Sequence, residues 1–317
     1  MIKRWAALAL KLSLTAAAIW YLQHKVDLVA AWHEIQGLSP WWALAAMGLQ
    51  AVQILICGGR WSLVLKAVRG HLPYWQTVEL FLVGTFFGQV LPGAVGGDAV
   101  RIWKTHRAGL PLRASVNSVL LERVVTVFGL LLLVTLLQPL LMDRVSNAAS
   151  AWIFPVLTLG GAGGIGFLML LDRLPEKLTH LRIVRGFIAL AGDCRDLFLK
   201  PGNSLPTLIT TLIGHVNLTL VVWAIGQGIG APVSMMDCIV LVPPVVLVAT
   251  LPISIGGWGV RENMMVLMLA GIGVAHEQSA AMSLLFGLSG ILISLPGGLI
   301  WAFTREAIPE HLEESEG

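Results

Sequence analysis

Apolar runs of about span length alternate along the chain with short polar or basic stretches. About twenty apolar residues cross ~30 Å of hydrocarbon as a helix. Six runs read as full spans: Trp5–Leu22, Trp41–Gly58, Ala114–Leu141, Trp152–Leu171, Leu205–Gly228 and Ser279–Phe303. Trp41 and Trp42 open the second run, where an interfacial aromatic belt belongs. Residues 23–40 are polar and mixed, and 172–203 read as a basic, partly amphipathic helix at the surface. Two runs, Val78–Val90 and Cys238–Thr250, are too short to cross, and each ends in a Pro/Gly break. A short apolar run, Asn263–Gly273, comes after the second break.

The two breaks are copies of one another. Leu91-Pro-Gly-Ala-Val-Gly-Gly-Asp-Ala-Val-Arg101 returns 160 residues later as Leu251-Pro-Ile-Ser-Ile-Gly-Gly-Trp-Gly-Val-Arg261, with six of eleven positions identical. Paired Gly/Pro interruptions in corresponding places of two halves mark transporter sites built from broken helices. The similarity extends further: Ala114-Ser-Val-Asn-Ser-Val-Leu-Leu121 resembles Ser279-Ala-Ala-Met-Ser-Leu-Leu-Phe286. A single transmembrane domain over 1–303 is expected, with halves at roughly 41–141 and 205–303 and an acidic cytoplasmic tail at 304–317.

Lys and Arg set the orientation, because cytoplasmic loops carry their excess. If 78–97 and 238–273 are hairpins that enter and leave by one face each, sixteen of the 21 Lys and Arg fall in cytoplasmic pieces. Only Lys25 and Arg144 fall outside, and Lys11, Arg123 and Arg261 lie at membrane depth. Both termini are then cytoplasmic, and the two halves have inverted topology. The expected fold is an all-α polytopic membrane protein of about six full transmembrane helices plus two re-entrant broken-helix hairpins.

Composition agrees. The 317 residues are 56% hydrophobic and 12% charged, with mean hydropathy +0.80, whereas a soluble domain is about 25% charged. No room remains for a soluble catalytic domain of even ~100 residues. The sequence pI of 8.9 follows from the basic cytoplasmic loops and implies no nucleic-acid partner. Cys57, Cys194 and Cys238 form no CxxC pair, so neither a disulfide framework nor a zinc site is expected. The eight histidines show no HExxH, and no cofactor is implied. Met1-Ile-Lys-Arg and the run after it imitate a signal peptide, but Lys11 interrupts that run, which is read as a first span.

Charges at membrane depth are the candidates for chemistry, since one ionised group at the bilayer centre costs ~2.5–3.5 kcal/mol even on the lenient scale. Asp98 and Arg101, three apart, share a helix face. Glu122 and Arg123 sit early in a long span, and Arg261 and Glu262 follow the second Gly pair. Gly96, Gly97, Gly256 and Gly257 have two readings. One is close helix packing. The other, favoured beside an arginine, is exposure of N–H groups to an anion at a helix start. Gly160-Gly-Ala-Gly-Gly-Ile-Gly166 reads as packing, His215 and Asn217 as satisfied interior groups, and Lys11 and Glu79 as snorkelling side chains. No Lys stands at Walker spacing after either Gly pair, so a nucleotide loop is not expected.

Leu91-Pro-Gly, Gly96-Gly97-Asp98, Arg101, Leu121-Glu122-Arg123 and Pro252-Ile-Ser-Ile-Gly-Gly-Trp-Gly-Val-Arg261-Glu262 resemble the transmembrane domain of lysylphosphatidylglycerol synthase over nearly the whole chain. In the two-part synthases that domain resembles a lipid flippase in role, and the separate soluble aminoacyl-transfer domain has no counterpart here. The resemblance implies translocation of a phospholipid or other anionic lipid across a bacterial cytoplasmic membrane, without lipid aminoacylation. A membrane-embedded enzyme acting on a lipid-linked phosphate, or a non-catalytic partner of a lipid-modifying enzyme, are the alternatives.

Overall fold

The computed structural model describes residues 27–90, 96–144, 150–173, 182–251 and 257–303. The expected first span, Trp5–Leu22, and the acidic tail lie outside the described residues. Among the described residues there are twelve α-helices, one short 3-10 turn and no strand. Five helices are long and apolar enough to cross a membrane. They are α2 (Pro40–Ala67), α5 (Leu112–Leu136), α7 (Ser150–Met169), α9 (Pro201–Gly228) and α12 (His276–Phe303).

Local chemistry sets several boundaries. Residues 27–39 hold a short helix, α1 (Leu28–Gln36), that the polar reading of 23–40 does not anticipate. Asp27 caps it by accepting the N–H groups of Val29 and Ala30 at 2.8 and 3.1 Å. Pro40 and Pro201 each fall in the first turn of their helix, where a missing N–H costs nothing. The expected Ala114–Leu141 span stops at Leu136, and Pro139 lies at the start of α6 (Gln138–Met142). Conversely, α2 runs nine residues past the expected end at Gly58, because Arg60 is neutralised inside the bundle and the residues beyond it are mostly apolar.

The central packing is α2 against α9. Gly228 abuts Leu38 and Trp42 at one end, and Gly214 faces Ile56 and Gln53 further along, so the helices run antiparallel. Asn217 Nδ2 donates to the Leu49 carbonyl (3.0 Å) and to Gln53 Oε1 (2.9 Å) across the same seam.

On each side of this pair sits a helical hairpin. α3 (Tyr74–Val90) packs on α4 (Gly96–Arg107), and α10 (Met235–Thr250) packs on α11 (Val260–Ala270). In the first, Gly97 lies against Gly84 and Gly88, and Arg101 against Gly84. The chain therefore returns alongside itself. Leu72 before the hairpin and Leu110 after it share one apolar cluster. In the second, Val233 before and Val274 after likewise share a cluster.

The contacts repeat between the halves. α2 touches α3 and α5 as α9 touches α10 and α12. α3 packs on α12 as α10 packs on α5. α7 lies outside this set and touches α5 and α8 (Arg182–Phe198). α8 buries Leu190, Cys194 and Leu197 against α2, α5 and α7, and Asp193 accepts from Asn117 of α5 at 2.6 Å. This is the helix expected from 172–203.

The first hairpin depends on a missing side chain. A Cβ on Gly97 would lie 2.2 Å from the Gly84 carbonyl oxygen, which is backbone and cannot swing away. Gly97→Ala should cost ~1–3 kcal/mol by overpacking. Gly163→Ala, where a Cβ meets nothing within 4 Å, should be neutral or slightly stabilising. Thermal unfolding of the two variants in detergent, side by side, checks the contrast.

Candidate functional site

α4 begins at Gly96 with Asp98 in its first turn and ends with Lys104, His106 and Arg107, the charge order that a helix dipole favours. Its close approach to α3 places Arg101 inside the bundle, where the residue is 4% exposed. The Trp61 ring lies over the guanidinium, its centroid 4.1 Å from Cζ, and the Phe81 ring centroid lies 4.7 Å away. Trp61 is anchored by its Nε1–H, which donates to Ser118 Oγ at 3.3 Å.

Glu122 of α5 joins three helices. Its Oε1 accepts from Arg60 Nη2 at 2.5 Å and Nε at 3.1 Å, and its Oε2 accepts from Arg101 Nη1 at 3.2 Å. Asp98 takes a longer bond from the same Arg101 Nη1 (3.4 Å) and a shorter one from Arg123 Nε (2.8 Å). The cluster therefore sets three guanidinium groups, Arg60, Arg101 and Arg123, against two carboxylates. Arg101 Nε and Nη2 are buried and have no hydrogen-bond partner among the described residues. Aromatic faces attract the cation but offer no acceptor of carboxylate strength.

The second cluster is built from adjacent residues. Arg261 donates from Nε to Glu262 Oε1 and to Ser283 Oγ, each at 3.1 Å, and from Nη2 to Glu262 Oε1 at 2.7 Å. The other Glu262 oxygen accepts the Gly259 N–H at 2.6 Å, at the first turn of α11. Trp258 and Phe286 lie over Arg261, with centroids 4.8 and 5.6 Å from Cζ. Gly287 makes the space: a Cβ there would stand 2.3 Å from Arg261 Nη2.

The expected residues thus divide in two. Gly96, Gly97, Asp98, Arg101, Glu122 and Arg123 gather around the first hairpin. Gly257, in the left-handed region at φ 78°, stands with Arg261 and Glu262 at the second. Gly256 lies outside the described residues. Gly97 is a packing glycine, touching Gly84 and Gly88. Arg101 and Arg261 share no hydrogen-bond, ion-pair or stacking partner among the described residues. Ten residues before Arg60 on α2, Gln50 donates to Ser289 Oγ of α12 at 3.0 Å.

The sequence profile described as the lysylphosphatidylglycerol synthase TM region matches residues 8–297. The chain belongs to that family. It is also similar to a UPF0104 membrane protein of Methanothermobacter thermautotrophicus, 22% identical over 297 residues that cover 84% of each chain. Like the family, it is a multi-pass membrane protein tied by descent to a lipid-synthase membrane region.

Sequence reasoning missed Arg60, Trp61 and Ser283. The charge count places Arg60 in a cytoplasmic loop; in the fold it is 4% exposed and the main partner of Glu122. The signal was present, because Trp61, Leu63, Val64 and Leu65 continue the apolar run past the arginine. Removing one partner of a buried ion pair costs about 3–5 kcal/mol, since the other charge is left uncompensated. Glu122→Gln should show a loss of that order in detergent unfolding. Adding Arg60→Met to Glu122→Gln should recover part of it, because the buried guanidinium whose carboxylate partner was Glu122 is then gone.

Proposed function

We propose that this member of the family is a lipid translocase, moving a phospholipid or other anionic lipid between leaflets without covalent change. The observation that carries this reading is the buried, net-positive cluster at the start of α4, where two N–H-bearing nitrogens of Arg101 lack a partner among the described residues. A phosphate oxygen is a strong acceptor for such donors, and a helix N-terminus adds to its attraction. Glu122 holds Arg101 and Arg60 in register, while Asp98 offsets part of the charge and ties in Arg123. The lipid's acyl chains would remain in hydrocarbon.

In the same reading the two hairpins are re-entrant, each entering and leaving by one face, and the halves form an inverted repeat. The shared clusters of Leu72 with Leu110 and of Val233 with Val274 support this. So does the matching of helix contacts between the halves. Rocking one half against the other would expose a headgroup to each side in turn.

Transport is tested in liposomes holding the purified chain and labelled phosphatidylglycerol. Wild-type protein should redistribute the label between leaflets and leave it chemically unaltered. Arg101→Ala should slow this by about tenfold or more, the loss of a charge-assisted bond of ~1.5 kcal/mol or above. A chemically altered lipid would favour the enzyme reading instead. Topology has its own check. The native cysteines among the described residues are all buried, and burial pushes the Cys194 thiol up to about 11, so background labelling is small. His71→Cys and Arg113→Cys should react with an impermeant maleimide from the same face, and Ala275→Cys from the opposite one. Reaction of the first two variants from opposite faces would sink the first re-entrant hairpin.

A further inference from the structure

The repeat brings unlike residues to equivalent places. Matching Leu91–Arg101 to Leu251–Arg261 pairs Asp98 with Trp258, and one position further it pairs Ile102 with Glu262. Matching Ala114–Leu121 to Ser279–Phe286 pairs Ser118 with Ser283, and the next position pairs Glu122 with Gly287. In the first half, the carboxylate reaches the arginine from the neighbouring long helix. In the second, that helix has only Gly287, and the carboxylate comes from the residue beside the arginine.

The exchange changes what each guanidinium has left to offer. Arg261 commits Nε and Nη2 to Glu262 and Ser283. Glu262 is 1% exposed, and its second oxygen is held by the Gly259 N–H, so this carboxylate is fixed in place. Arg101 meets its carboxylates through Nη1 alone, and Glu122 gives its other oxygen to Arg60. Arg101 Nε and Nη2 stay bare among the described residues, with side-chain exposure of 5%.

We infer that the chain has one anion seat, at Arg101, and that the equivalent seat at Arg261 is filled by the protein's own carboxylate, Glu262. Glu262 is then a specificity-determining residue: it keeps the second half closed to phosphate. The ligand is a phosphate ester, carried by a lipid headgroup or free in solution. This inference rests on the anion reading of the first cluster given above.

The test is calorimetric titration of the purified full chain in detergent with short-chain phosphatidylglycerol, and separately with glycerol phosphate. Wild-type protein should bind one equivalent. Arg101→Gln, confirmed as folded by thermal unfolding, should leave no seat, weakening binding by about tenfold or more. Glu262→Gln should add a second equivalent. Two equivalents on wild-type protein, or one surviving in Arg101→Gln, overturn the single seat while the anion reading stands. No binding of either compound to wild-type protein overturns both. Binding of glycerol phosphate alone supports the seat and removes the lipid as its ligand. Wild-type stoichiometry decides between one seat and two even if Glu262→Gln fails to fold, and a folded Glu262→Gln that still binds one equivalent overturns the role given to Glu262.

Discussion

Glu122 is a single carboxylate on which guanidinium groups from two other helices converge, in a bundle with little water to solvate either sign. An ion in such surroundings is tolerated only with a partner at hydrogen-bond distance. This constraint fixes geometry as well as charge. Arg60 ties α2 to α5 through one oxygen of Glu122, and Arg101 ties α4 to α5 through the other. The hairpin of α3 and α4 must therefore bring Arg101 within reach of a carboxylate 21 positions further along the chain. Without Glu122, buried Arg60 would lose its carboxylate and Arg101 would keep only its longer bond to Asp98.

Reaching that place requires the two arms of the hairpin to nearly touch. The contact is backbone to backbone at Gly97 and Gly84, and backbone to arginine stem at Gly84 and Arg101. Any side chain at these glycines would push α4 outward and draw the guanidinium away from Glu122. The aromatic rings complete the arrangement by a different route. Trp61 and Phe81 cover the flat face of Arg101 and stabilise its charge without using its N–H donors. One further carboxylate in their place would have neutralised the site. The first cluster thus combines a buried cation with donors left open, which packing glycines and π faces together permit.

Much of this was legible in the sequence, and the omissions have physical causes. The duplicated break, its arginines and the Glu122-Arg123 pair were visible because polar and helix-breaking residues stand out against apolar runs. Arg60 was passed over, since a cation near a span end is ordinarily a snorkelling one, although the apolar run continues past it. Its partner, Glu122, is 62 positions away. The packing duty of Gly97 was open in the sequence because one glycine can serve a helix start or a close contact. Gly287 carried no signal, because its importance is the space it leaves for Arg261. Pairings between distant helices and the value of a missing side chain are tertiary facts. A one-dimensional pattern records them only when a repeat gives something to compare.

That comparison bears on how a translocase could be biased. A ligand shifts a conformational equilibrium only by the difference in its affinity for the two states. If the halves are inverted as proposed, two equal anion seats would be stabilised alike by a headgroup in either position, and occupancy would favour neither arrangement. With one seat at Arg101, a bound phosphate stabilises whichever arrangement keeps α3, α4 and α5 closed around it. The second half answers with an internal ion pair whose carboxylate is already held by Gly259 and Ser283. Its closure needs no lipid. On this reading the halves are alike in fold because both must bury an arginine, and unlike in chemistry because, among the described residues, only Arg101 leaves buried donors without a partner.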